Sequence, residues 1–238
     1  MNKVEKPERK LVLPGELVAE GEIAFQWSPY IIKIDNKLYS TVLGLAETRE
    51  NKVNVIPLQG NFYYPKVGDL VIGFIKDVEA FGWIIDIKAP YSAYLPASNY
   101  LGRPANNGED LTKYLEIGEY IIAKIEQFDR SVDPILMARG KGLGRITSGG
   151  VIDISTVKVP RVIGKGKAML EMLAKETGCE ILVAQNGRIW FQCPDKQRED
   201  VLLLSVYTIE KESHTKGLTD RIKQLIREKL GVEKIGEA

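Results

Sequence analysis

Val67-Gly68-Asp69-Leu70-Val71-Ile72-Gly73-Phe74-Ile75, followed by Ala80-Phe81-Gly82-Trp83-Ile84-Ile85-Asp86-Ile87, is the stretch on which the fold turns. Apolar residues recur in it with a period near two, the signature of strands with one buried face. The first run is entered through a Gly-Asp turn and the second reads as its hairpin partner, with Gly82 permitting a close approach or a bulge. Tyr91 to Leu95 supplies a third strand. A loop rich in Gly, Asn and Pro, Asn99 to Asp110, leads to Ile117-Gly118-Glu119-Tyr120, which repeats the turn-and-strand entry before Ile121 to Phe128. Pro134 to Ala138 closes the set. Five strands of this length over residues 66–145 predict a small closed or nearly closed β-barrel.

On the N-terminal side, residues 1–10 are charged and read as a mobile tail, neither a signal peptide nor a membrane anchor. Residues 11–65 carry short apolar runs: Leu11-Val12-Leu13, Leu17-Val18, Tyr30 to Ile34, Leu38 to Leu43 and Lys52 to Leu58. Pro14-Gly15 and Asp35-Asn36 between them predict hairpins, hence a small all-β domain. So small a domain buries little core and needs a neighbour or a partner to lean on.

On the C-terminal side the texture changes after Gly140. Glycines 140, 142, 144, 149 and 150 punctuate a hinge, and helical periods follow. Ala168 to Thr177 gathers Met169, Leu170, Met172 and Leu173 for one face, with Gly178 as C-cap. Glu180 to Gln192 is two alternating runs around Asn186-Gly187, a hairpin signal. Pro194 to Glu212 predicts a long helix, and Thr219 is placed to cap a last one bearing Ile222, Leu225, Ile226 and Leu230. Residues 146–238 therefore predict a compact α+β domain, and the whole chain a multi-domain fold.

Composition removes several classes of protein. The 238 residues are 44% hydrophobic and 27% charged, as in globular proteins. No stretch approaches the ~20 consecutive apolar residues of a membrane-spanning helix, so no membrane partner is expected and the compartment reads as cytoplasmic. Two cysteines, Cys179 and Cys193, not in a CxxC pair, are too few for a disulfide framework or a four-ligand zinc site. The net charge is only +1, yet between Arg139 and Lys167 stand seven basic residues (Arg139, Lys141, Arg145, Lys158, Arg161, Lys165, Lys167) against Asp153 alone. That segment carries 7 − 1 = +6, leaving −5 elsewhere. It reads either as a solvated basic linker or as the local positive field that phosphate binding needs.

The middle segment resembles the OB-type domain first described in ribosomal protein S-one. The resemblance rests on Val67 to Val71, Phe81-Gly82-Trp83-Ile84-Ile85-Asp86, Leu95-Pro96-Ala97-Ser98, Ile117-Gly118-Glu119, Ile125 to Asp129, and Leu136-Met137-Ala138-Arg139. It implies single-stranded RNA as ligand and Phe81 as the first base-stacking aromatic. The second aromatic position holds Ile84, and the frequent histidine position holds Pro96. Stacking contributes about 1–3 kcal/mol per base, so the barrel is expected to grip single bases weakly. Trp83 is out of register and expected to pack inward.

Val162-Ile163-Gly164-Lys165-Gly166-Lys167 resembles the GxxG loop with which KH domains clamp a nucleic-acid backbone, with Lys167 replacing the last glycine. The same residues read equally as a tight helix–helix turn. The order of a β-domain containing Val12-Leu13-Pro14-Gly15-Glu16, an S-one-type barrel and a degenerate KH domain resembles the KH-bearing cap subunits of the archaeal RNA exosome. Ala184-Gln185-Asn186-Gly187 stands where that family carries GxNG. The resemblance implies three copies capping a hexameric ring of RNase PH-like subunits, with the N-terminal domain docked on the ring and single-stranded 3′ ends passing inward. The RNA contacts it suggests are Phe81, Arg139, Lys141, Arg145, Arg161, Lys165, Lys167 and Arg188.

No catalytic residue, metal site or cofactor is expected. The only histidine, His214, lies in the polar run Glu212 to Lys216, and no HExxH, P-loop or dinucleotide-binding glycine pattern occurs. Polynucleotide phosphorylase places its KH domain before the barrel, and the other exosome cap protein lacks one. A free-standing OB/KH factor of translation or RNA processing remains as the alternative.

Overall fold

The computed structural model describes residues 9–21, 28–49, 52–58, 60, 62–129, 131–215 and 217–231. The chain divides into two units, Met1–Gly60 and Asn61–Ala238.

The first unit holds two antiparallel three-stranded sheets. In one, β5 (Gly44–Arg49) lies between β1 (Arg9–Val12) and β6 (Lys52–Pro57). In the other, β4 (Lys37–Ser40) lies between β2 (Leu17–Glu20) and β3 (Ile31–Ile34). Val12, Ile31, Leu38, Ala46, Val53 and Val55 form the shared core. The run Leu38 to Leu43 does not continue as one strand. It breaks after Ser40, whose hydroxyl donates to the Val42 carbonyl (2.7 Å), and the chain crosses to the other sheet as β5. A side-chain bond to nearby backbone competes with the sheet ladder.

In the second unit, β7 (Leu70–Glu79), β8 (Gly82–Asp86), β9 (Ser92–Pro96), β10 (Tyr120–Gln127) and β11 (Ile135–Met137) close into a five-stranded barrel. The short helix α1 (Ala97–Leu101) follows β9, and β12 (Gly144–Arg145) extends the sheet beside β10. Val71, Ile75, Ile85, Leu95, Ile121, Ala123 and Leu136 fill the barrel. Trp83 packs inward as expected: it is fully buried, its indole Nε1 donates to the Leu115 carbonyl (3.1 Å), and its ring meets Tyr100 edge-on. Tyr63, read in the sequence with the N-terminal domain, belongs to the barrel core, where its hydroxyl donates to the Asp69 carboxylate (2.6 Å). Burial, reinforced by that carboxylate, raises the Tyr63 pKa.

The remaining elements are β13 (Gly150–Asp153), α2 (Val159–Ile163), α3 (Ala168–Thr177), β14 (Glu180–Val183), β15 (Arg188–Gln192), α4 (Lys196–Lys211) and α5 (Leu218–Leu230). The sheet order is β13-β15-β14, antiparallel, and Val162, Met169, Leu173, Ile189, Phe191, Leu202, Val206, Ile222 and Ile226 form the core between sheet and helices. Asp195 caps α4, its carboxylate accepting from the Arg198 amide (2.9 Å). α5 starts at Leu218 behind Gly217 and has no side-chain cap, so Thr219 does not play the part its residue type suggests. Glu176 of α3 holds Arg227 (2.9 Å) and Lys223 (3.6 Å) of α5, and these cations keep its carboxyl below the usual range.

The two cysteines depart from the sequence reading. They cannot make a framework, but Cys179 and Cys193 flank the Glu180↔Gln192 pair and are joined by a disulfide across the open end of the β14–β15 hairpin.

Candidate nucleic-acid interface

The hairpin turn between β14 and β15 joins the C-terminal region to the barrel. β8 ends at Asp86 opposite Phe74, so Ile72 on β7 has no β8 partner for its backbone groups. The Asn186 carboxamide takes the vacant place. Its Oδ1 accepts from the Ile72 amide (3.3 Å) and its Nδ2 donates to the Ile72 carbonyl (2.8 Å) and to the Ile87 carbonyl (3.1 Å). The Gln185 amide extends the pattern by donating to the Leu70 carbonyl (2.9 Å). A side chain thus completes a strand ladder where the neighbouring strand runs out, leaving these buried groups satisfied. Gly187 is forced by closeness as well as by its φ of 78°: a Cβ there would lie 2.6 Å from the Ile154 carbonyl oxygen.

Arg188, expected on the RNA path, is instead part of this joint. It is 6% exposed; its guanidinium donates to the Ile72 carbonyl (3.1 Å), the Asp86 carbonyl (2.6 Å) and the Asp86 carboxylate, and reaches Asp153 (3.3 Å). It also lies 5.8 Å from the centre of the Tyr120 ring. A cation this buried, with four of its five N–H groups donating to protein oxygens, is largely committed to the fold. Lys88 adds a bond from its ammonium to the Ile154 carbonyl (2.7 Å).

The other expected residues are on the surface, in separate groups. Phe81 sits at the β7–β8 turn with 55% of its surface exposed, and its carbonyl accepts from the Ala97 amide (2.9 Å), which fixes the backbone that presents the ring. The exposed Arg139 lays its guanidinium against Gly102, at the C-terminal end of α1. Lys141 is exposed in the following turn, and Arg145 pairs with the Glu119 carboxylate.

Arg161, Lys165 and Lys167 lie in and beside the loop between α2 and α3. Arg161 and Lys165 share an open cleft of about 340 Å³ with Gly164, Leu218 and Thr219, and the Arg161 Nη2 donates to the Thr215 carbonyl (3.0 Å). Lys167 adopts the left-handed conformation (φ 69°, ψ 11°) that glycine favours, so the chain path survives the missing glycine while both ammonium groups stay exposed. Holding a non-glycine residue there costs about 1 kcal/mol.

Sequence reasoning missed Asn186 as a joint residue, because Asn-Gly is sufficiently explained by a turn. It also missed Tyr94, an outward aromatic on β9 between the fully buried Ala93 and Leu95. The alternation Ala-Tyr-Leu carried that signal.

Among the described residues, no group of three or more His, Cys, Asp or Glu side chains could hold a metal ion, and no helix is long and apolar enough to cross a membrane.

The chain is similar to known proteins along most of its length. Residues 9–59 match the family described as the Exosome RNA binding protein RRP4 N-terminal domain, and residues 149–197 match the KH domain family. Exosome complex component Rrp4 of Saccharolobus solfataricus is 60% identical over 223 residues, covering 94% of this chain and 90% of that protein. The same component of Sulfurisphaera tokodaii is 58% identical, covering 98% and 94%, and that of Pyrobaculum aerophilum 44% identical, covering 90% and 91%. A crystal structure described as an exosome complex RNA-binding protein superposes with a TM-score of 0.69 at 42% identity, over 72% of this chain and 98% of that one.

Proposed function

Because the chain belongs to the family of exosome complex component Rrp4, we propose that it is a non-catalytic, RNA-binding cap subunit of an exosome. In this reading it captures RNA and guides single-stranded 3′ ends into an RNase PH-like ring for 3′-to-5′ degradation, three copies capping each ring, in the cytoplasm. Residues 11–65 dock, residues 66–145 and 146–238 meet RNA, and Phe81, Arg139, Lys141, Arg145, Arg161, Lys165 and Lys167 are the contacts.

The observation that carries this reading is the 60% identity to an exosome component over 94% of the chain. A second one supports the docking role. In the β1-β5-β6 sheet, Leu11, Leu45 and Ile56 are directly opposed across the three strands on the face away from the core; Leu43 and Leu58 continue that row, and Leu13 follows in the turn after β1. Five of the six are exposed, Leu11 at 55% and Leu13 at 57%. A contiguous apolar patch rimmed by polar residues marks a protein interface. A free-standing RNA-binding factor has no use for one.

Threading RNA of any sequence also suits the weak base grip expected of this barrel, since phosphate contacts position a strand without reading it. Phosphorolysis of a poly(A) strand by ring alone, by this chain alone and by the two together tests the proposal. The expected result is no degradation by the chain alone and faster degradation by ring plus chain. Equal rates with and without the chain would overturn the cap reading, and degradation by the chain alone would overturn its non-catalytic part.

A further inference from the structure

We propose that Tyr94 is a base-stacking residue of the barrel, restoring from β9 the aromatic contact that β8 lacks at Ile84. This rests on the RNA-binding reading above. Ile84 and Tyr94 are directly opposed in the β8–β9 register. Directly opposed side chains share one face of a sheet with Cβ atoms about 5 Å apart, so an aromatic at 94 serves the same patch as one at 84.

The conformation of the ring follows from its neighbour. Gly82 pairs with Pro96 on the same strands. A Cβ on Gly82 would lie 2.7 Å from the Tyr94 phenol oxygen and 2.8 Å from its Cζ. Only glycine at 82 allows the ring to lie across β8 as it does. This is the close approach the glycine makes possible. Phe81, the exposed aromatic of the turn, is the next residue along the chain. Two aromatic side chains therefore flank one glycine on the outer surface of the barrel.

The charge of the surroundings identifies the part of the RNA that can bind there. Asp77, directly opposite Ile84, and Glu79, directly opposite Gly82, are both exposed on the same hairpin. A phosphodiester would be repelled by these carboxylates, whereas the flat face of a base would not. The contact is thus sequence-tolerant stacking, with the backbone directed to the basic residues elsewhere.

The test titrates the full-length protein with labelled oligo(A) and with an abasic phosphodiester of equal length. Tyr94→Leu is expected to weaken oligo(A) binding about tenfold, the equivalent of one stacked base, and to leave abasic binding unchanged. Tyr94→Phe should bind like the wild type. Unaltered oligo(A) binding by Tyr94→Leu, or equal losses on both oligomers, would overturn the assignment while leaving the RNA-binding reading intact. A wild-type protein that binds neither oligomer would overturn both.

Discussion

The C-terminal region contains two glycine-bearing turns of similar length and opposite character. The loop Gly164 to Lys167 is open to solvent, holds a lysine in a glycine's conformation and leaves two ammonium groups exposed. The turn Ala184 to Gly187 is buried save for Gln185, and its asparagine side chain makes three bonds to barrel backbone. Both follow from short glycine motifs with a basic residue inside or just after them. One is chemically free and the other is consumed by the fold. A basic residue near a glycine turn is thus a candidate ligand contact only when the turn does not serve as the seam between two hydrophobic cores.

The contrast is exposed to experiment, starting where the expected effect is largest. Asn186→Asp keeps the acceptor for the Ile72 amide but replaces the two donations by a charge facing two carbonyls. Stranding those buried acceptors should cost about 4 kcal/mol, measured by urea unfolding. A change below about 1 kcal/mol would mean that the turn does not hold the barrel.

Arg188→Ala should cost about 3 kcal/mol, because it removes the partner of Asp86 and the donor to two carbonyls. Its RNA affinity, measured under conditions where the variant is folded, should keep the wild-type salt slope. A flattened slope would return Arg188 to the RNA path.

Lys165→Glu with Lys167→Glu should do the reverse. Stability should stay within about 0.5 kcal/mol, while affinity falls for all RNA sequences alike and the salt slope flattens by about 0.7 for each phosphate no longer neutralised. An unchanged slope removes the loop from the RNA path. The smallest effect is expected of Lys167→Gly, which should raise stability by up to about 1 kcal/mol by relieving the left-handed lysine. Thermal unfolding would reveal it, and destabilisation would show that the ammonium contributes more than its backbone costs.

Local pattern made much of the architecture legible, and its failures have physical causes. Helix α3 has the bounds that its apolar spacing and Gly178 indicate, and the alternating runs around Phe81 and Asn186 became paired strands. These features are local, set by the period of the chain and by turn chemistry. The strand break at Ser40 and the start of α5 behind Gly217 are local choices that residue type alone does not decide, while the joining of the cysteines depends on neighbours across the hairpin. The fate of Arg188 depends on Asp86, a partner 102 residues away in sequence. Phe81 stands out in the sequence because it lies in a motif; the alternation Ala-Tyr-Leu turns Tyr94 outward, but its place beside Ile84 emerges only from the strand register.

The disulfide has a bearing on how this region comes apart. Cys179 and Cys193 are 14 residues apart and the seam turn lies between them, so the hairpin is a covalent ring with its tip seated in the barrel. A linear hairpin opens like a zipper from its free ends, and this one has none. Constraining a loop of this size disfavours the opened state by about 3 kcal/mol. Parting the strands from the tip means pulling Asn186 from the edge of β7, which couples opening of the hairpin to separation of the barrel from the KH domain.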